Sequence, residues 1–96
     1  MEFVQIIEYS TTKPDEMQAA GEAYRASRED TQDSVKVVVT QDRDRENTYV
    51  MVVRFPSYEA AMENSQREDT TELSQKMASL CDGPPSFRNL DVLMDM

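Results

Sequence analysis

Histidine and tryptophan are absent from the 96 residues, and cysteine occurs once, as Cys81. Without histidine the chain has no side chain whose ordinary pKa lies near neutrality, no imidazole ligand for a metal and no histidine for haem. A zinc site would rest on one thiolate and carboxylates, a poor donor set. A single cysteine rules out an intrachain disulfide and implies no redox compartment. Glycine occurs only at positions 21 and 83, so a glycine-rich phosphate cradle is excluded, as are Ser-His-Asp sets and metal-binding clusters. No apolar run nears the ~20 residues that span a bilayer. The opening "MEFVQIIEYS" lacks the basic and apolar regions of a secretory leader, so a cytoplasmic location is the expectation. Positive charge is scarce: 10 basic residues face 19 acidic ones, for a net charge of −9. That surface repels phosphate backbones and anionic lipid, which argues against nucleic acid and membranes as partners.

Apolar residues, 39% of the chain, lie in short runs. The length suits one domain over residues 1–96. A chain of this size buries only about 60–70% of its unfolded surface, and such a modest core is often completed by pairing with a second copy. "FVQIIEY" (3–9) is β-branched and aromatic and reads as a strand, with Phe3, Gln5, Ile7 and Tyr9 on one face. "STTKPDE" reads as a helix start, with proline in the first turn followed by two acids. The helix extends from Pro14 to about Arg28 and has a thin stripe of Met17, Ala20, Tyr24 and Ser27. The polar "EDTQDS" connects it to "VKVVVTQD", and the short charged "RDREN" joins that strand to "TYVMVVRF" as a hairpin. Both hairpin strands are apolar on both faces, as suits helices on one side and a second sheet on the other.

Pro56 ends the third strand and Ser57 is placed to cap a helix carrying Tyr58, Ala61, Met62 and Ser65 at i, i+3, i+4 and i+7. A polar break follows. Asp69 and Glu72 are spaced like a capping box, and Leu73, Met77 and Leu80 form the stripe of the next helix, with Gly83 as its C-terminal cap. "FRNLDVLMDM" is the last strand, with Leu90, Val92 and Met94 on one face. The order βαββαβ, with the second helix broken in two, predicts an α+β, ferredoxin-like fold: a four-stranded antiparallel sheet with helices on one face. The other face is too apolar to remain wet, which predicts a homodimer.

The stretch "YVMVVRFPSYEAAMENS" resembles the strand-to-helix signature of the dimeric α+β barrel superfamily, and within it of the antibiotic-biosynthesis-monooxygenase-like domains. Their pattern is an apolar strand ending in tryptophan, then serine two residues on, alanine five on and histidine nine on. Phe55, Ser57, Ala60 and Asn64 hold those positions here. Segments 55–65 and 81–92 are also similar to small actinobacterial members of the superfamily. The resemblance implies a homodimer whose sheets face each other, with a cavity in each subunit between sheet and helices. It also implies either a cofactor-independent monooxygenase-like enzyme or a protein that binds a small apolar or aromatic molecule. Cofactor-free members use asparagine, tryptophan and tyrosine. Haem-degrading members use histidine, asparagine and tryptophan. Phe55 in place of tryptophan, with Asn64 and Asp69 in place of histidines, argues against haem, and no cofactor is expected.

Asn64 is the leading candidate site residue, because a carboxamide can hydrogen-bond a carbonyl or enolate oxygen as charge develops there. Its structural reading is a helix end, which asparagine suits. Tyr24 and Tyr58 are further ligand-binding candidates, or core tyrosines with wet hydroxyls. Asp69 could act as a base, although a helix cap accounts for it. The methionines suggest an adaptable pocket or simple core filling. Arg43 and Arg45 could grip an anion, but their acidic neighbours favour a solvated hairpin tip. Cys81 reads as a small buried hydrophobe. No residue set here must be chemical, so the alternative function is a non-catalytic homodimeric accessory or regulatory module.

Overall fold

The computed structural model describes residues 1–27 and 35–95. Its elements run β1 (Phe3–Ser10), α1 (Pro14–Ser27), β2 (Lys36–Gln41), β3 (Thr48–Phe55), α2 (Tyr58–Ser65), α3 (Glu68–Leu80) and β4 (Ser86–Asp91). The four strands form one antiparallel sheet in the order β2-β3-β1-β4. This is the ferredoxin-like α+β arrangement that the element order predicts. The polar connection expected at 29–34 and the side chain of Ser27 lie outside the described residues.

Register follows from alternation. Phe3 pairs with Phe55, Ile7 with Met51 and Tyr9 with Tyr49. On the other side of β1, Ile7 pairs with Phe87. These side chains share the face beneath the helices. The opposite face carries Val4, Ile6, Val50, Val52, Val38 and Leu90, which the same registers bring side by side.

The core is split. One cluster holds Phe3, Val53, Phe55 and Ala61, and the other holds Tyr9, Met17 and Leu80; Ile7 and Met51 pack against both. α2 meets the sheet at the first cluster, through Ala61. Met17 of α1 and Leu80 of α3 close the second. Space therefore remains between the two anchoring points.

Local signals explain most element ends. Ser57 caps α2, its Oγ accepting from the Ala60 amide at 3.1 Å. The hairpin tip is organised by Asp42, whose carboxylate accepts from the amides of Asp44 (2.8 Å) and Arg45 (3.2 Å) and from Arg45 Nε (2.9 Å). Those donors hold its carboxyl below the usual range, the Asp44 amide foremost. Arg45 also reaches across to Glu8 at 2.7 Å, so it ties the tip to β1. Asn47 follows with φ of 58°, a left-handed conformation that asparagine tolerates.

Three local expectations differ from the structure. Asp69 and Glu72 do not form a capping box: the N-cap of α3 is Arg67, with no side-chain cap bond, and Asp69 instead takes both Nε and Nη2 of Arg67 at 3.0 Å. A bidentate guanidinium outcompetes a backbone amide for a carboxylate. Gly83 is not the cap of α3. The helix stops at Leu80, Cys81 is already extended, and Gly83 turns the chain two residues later at φ of 127°. The end of α3 is held from elsewhere: Thr11 is fully buried, and its hydroxyl donates to the Leu80 carbonyl at 2.6 Å while accepting from the Lys13 amide at 3.0 Å. Finally, β4 ends at Asp91, and the Val92 amide donates to the Glu2 carbonyl just beyond it, so the expected Leu90–Val92–Met94 face is cut short.

Candidate functional site

Between sheet and helices lies a cavity of about 860 Å³. Its floor is the helix-side face of the sheet, including Ile7, Met51, Val53 and Phe55, and its roof comes from α1, α2 and α3. The floor is mostly apolar because the residues of β1 and β3 on that face, Gln5 excepted, are aliphatic, aromatic or methionine. At the sheet edges the helices no longer cover it: Val39 of β2 and Phe87 of β4 belong to the lining yet remain 59% and 57% exposed. A largely apolar space with a few convergent polar groups is the ordinary form of a small-molecule site.

Three of the polar lining groups meet at one place. Tyr24 on α1 and Asn64 at the end of α2, both half-buried, are brought together, with the Tyr24 hydroxyl donating to Asn64 Oδ1 at 3.4 Å. Thr70, in the first turn of α3, shares a 2.7 Å hydrogen bond with the same hydroxyl. When Tyr24 donates to Asn64, the Thr70 hydroxyl donates to Tyr24, a chain in which each bond polarises the next. All three residues line the cavity. With Oδ1 turned to Tyr24, the carboxamide nitrogen is the group of Asn64 suited to donate to a carbonyl or enolate oxygen.

Tyr58 is not part of this group. It lies outside the lining, half-exposed, with its ring edge-on to Phe3 at 5.3 Å. As the first residue of α2 it stands at the opposite end of that helix from Asn64. Asp69 is likewise outside the lining and paired with Arg67. Sequence reasoning missed Thr70, because a threonine in a helical first turn gives no signal until α1 is placed against it. It also missed Glu22, the one carboxylate of the lining among the described residues, which accepts from Gln18 at 3.1 Å.

At the far end, Tyr9 and Tyr49 stack at 5.7 Å. Burial foremost, with Cys81 and Tyr49 adding to it, pushes the Tyr9 hydroxyl above its usual pKa, so it stays protonated. Burial, then Asp82, pushes the Cys81 thiol up as well, which disfavours the nucleophilic thiolate. Among the described residues no group of three or more cysteines and carboxylates is placed to hold a metal ion, and no helix is long and apolar enough to cross a membrane.

No family model matches the sequence, and no curated protein matches it. Solved structures do match in fold. A candidate antibiotic biosynthesis monooxygenase from Caulobacter crescentus superposes with a TM-score of 0.82 at 14% identity, covering 97% of this chain and 91% of its own. SnoaB, a cofactor-independent oxygenase from Streptomyces nogalater solved as an asparagine-to-alanine mutant, gives 0.79 at 13% identity, with 99% and 96% covered. A dimeric ferredoxin-like protein of unknown function from Jannaschia gives 0.79 at 12% identity, with 96% and 100% covered. The chain shares the fold of antibiotic-biosynthesis-monooxygenase-like proteins along nearly its whole length.

Proposed function

We propose that this single domain acts as a homodimer and binds a small apolar or aromatic carbonyl compound in the cavity between sheet and helices, as a cofactor-independent monooxygenase-like protein. The observation that carries this is the convergence of Tyr24, Asn64 and Thr70 from three helices on one point of a largely apolar cavity. In the bound state the Asn64 amide donates to the ligand's oxygen, stabilising negative charge as it develops there, while Tyr24 and Thr70 fix the amide's orientation. An asparagine was also the residue replaced in the SnoaB mutant, and SnoaB is a cofactor-independent oxygenase of the same fold. The fold hosts many activities, so the reading rests on the site.

The homodimer reading rests on the uncovered sheet face. Val38 is 56% exposed and Leu90 39% exposed, beside the half-buried Val4, Ile6, Val50 and Val52. These residues form an apolar patch bordered by Lys36, Arg54, Glu8 and Arg88 on the same face, a pattern that suits a protein-interaction surface. The Jannaschia structure of this fold is dimeric.

The test is a ligand screen of aromatic and aliphatic ketones by native mass spectrometry and calorimetry, followed by Asn64→Ala and Thr70→Val. Loss of a charge-stabilising hydrogen bond predicts a fall in affinity of about tenfold or more for Asn64→Ala. Unchanged affinity and turnover for an identified ligand would remove the site. Failure of every ketone to bind would favour the non-catalytic homodimeric module.

A further inference from the structure

Seven methionines occur in the chain, and three of them stand at positions 1, 94 and 96. The other four, Met17, Met51, Met62 and Met77, all line the cavity. Each comes from a different element: α1, β3, α2 and α3 in turn. Every element that roofs the cavity therefore contributes one, and the floor contributes another. Met17 is buried in the Tyr9 cluster, and Met51 and Met77 are half-buried against it. Core filling accounts for Met17, which is as buried as Phe55 and Val53, but Met51, Met62 and Met77 are only half-buried and border the cavity beside those stiffer residues. Methionine has three rotatable bonds and a polarizable sulfur, so it re-packs against different surfaces at small cost and makes good contacts with aromatic rings.

We infer that these four methionines form a deformable cavity wall, so that the site selects its ligand by apolar bulk and one carbonyl oxygen and not by outline. The inference rests on the reading of the cavity as a small-molecule site and adds what that site accepts. The polar chain of Tyr24, Asn64 and Thr70 anchors one oxygen, and the methionines close around whatever carbon skeleton follows. Flat tricyclic and linear alkyl ketones are then both ligands, because each can be wrapped by a different set of methionine rotamers.

Two neutral probes with the same number of carbons and one carbonyl each separate outline from bulk: 9-fluorenone, flat and rigid, and 2-tridecanone, linear. Protein labelled with 13C in the methionine methyl groups is titrated with each and followed by NMR. The expected result is dissociation constants within about tenfold of each other, with the Met51, Met62 and Met77 methyl resonances shifting for both probes to different end positions. The Met62→Ile/Met77→Ile double variant, stiff at Cβ, then separates the two constants by more than about tenfold, while the Met62→Leu/Met77→Leu control keeps them within it. A native protein that already prefers one probe by more than tenfold, or an isoleucine pair that leaves the ratio where the leucine pair does, overturns the inference and leaves the cavity as a site. Binding of neither probe overturns both. If the isoleucine pair does not fold, the native ratio and methyl shifts decide.

Discussion

Replacing Thr11 by valine isolates one buried hydroxyl at the price of almost no change in shape. Thr11 is fully buried, and its Oγ donates to the Leu80 carbonyl and accepts from the Lys13 amide. It thereby ties the end of β1 to the last turn of α3, a helix with neither a basic residue in that turn nor a left-handed cap. Valine removes both bonds, each contributing about 1 kcal/mol. The Lys13 amide is on an exposed residue and can turn to water, but the Leu80 carbonyl is in the core and pays about a further 1 kcal/mol for staying unpaired. Allowing for the extra apolar atom that valine buries, the net loss is about 2–3 kcal/mol. The total stability of a domain this size is ~5–15 kcal/mol. At roughly 4–8 °C per kcal/mol, the melting temperature falls by about 10–20 °C. Thr11→Ser keeps both bonds and loses one methyl, for about 1 kcal/mol. The assay is thermal and urea denaturation of the three proteins at one fixed protomer concentration, since dimerisation makes stability concentration-dependent. The order expected is threonine, then serine, then valine. A valine variant as stable as the serine one would refute the claim that this hydroxyl caps α3.

Val38→Lys with Val52→Lys places charge in the uncovered sheet face and should shift light-scattering mass from dimer to monomer, whereas a native protein already monomeric at micromolar concentration would end the dimer reading. Thr70→Val should weaken ketone binding by about threefold to tenfold while Thr70→Ser restores it, because only the hydroxyl reaches Tyr24. The raised Tyr9 pKa makes the folded state hold its proton longer than the unfolded chain does, so its contribution is complete below the ordinary pKa of 10.0 and is lost as pH rises through the higher folded value. Urea midpoints measured across that alkaline range should accordingly fall less steeply for Tyr9→Phe than for the native protein. Cys81, with its thiol pushed up, should react with iodoacetamide at neutral pH more slowly than free cysteine, and equal rates would contradict its placement.

The elements were legible because their signals are local. Alternation in "FVQIIEY" and "TYVMVVRF" gave the two central strands, proline with following acids gave the start of α1, and Ser57 gave the start of α2. The weaker predictions concerned groups with more than one available partner. Asp69 was within reach of a backbone amide and of Arg67, and the guanidinium won. Tyr58 had the right period for a buried stripe, but at the start of α2 its ring leans edge-on against Phe3 and stays half-exposed. Of the three candidate ligand-binding residues, the structure brings Asn64 and Tyr24 to the cavity and leaves Tyr58 outside it.

By itself the sequence determined the order of strands and helices, their faces and the hairpin, since periodicity and turn chemistry act over a few neighbouring residues. It also set the limits on chemistry, because absent histidine and a lone cysteine cannot be supplied by folding. Only the tertiary structure decided that the core divides into two clusters with a space between them. Only it decided that Tyr24 would meet Asn64 and Thr70, 40 and 46 residues away, and that the four internal methionines would border the same space. Those facts depend on how three helices settle on a twisted sheet, and no window of sequence contains that geometry.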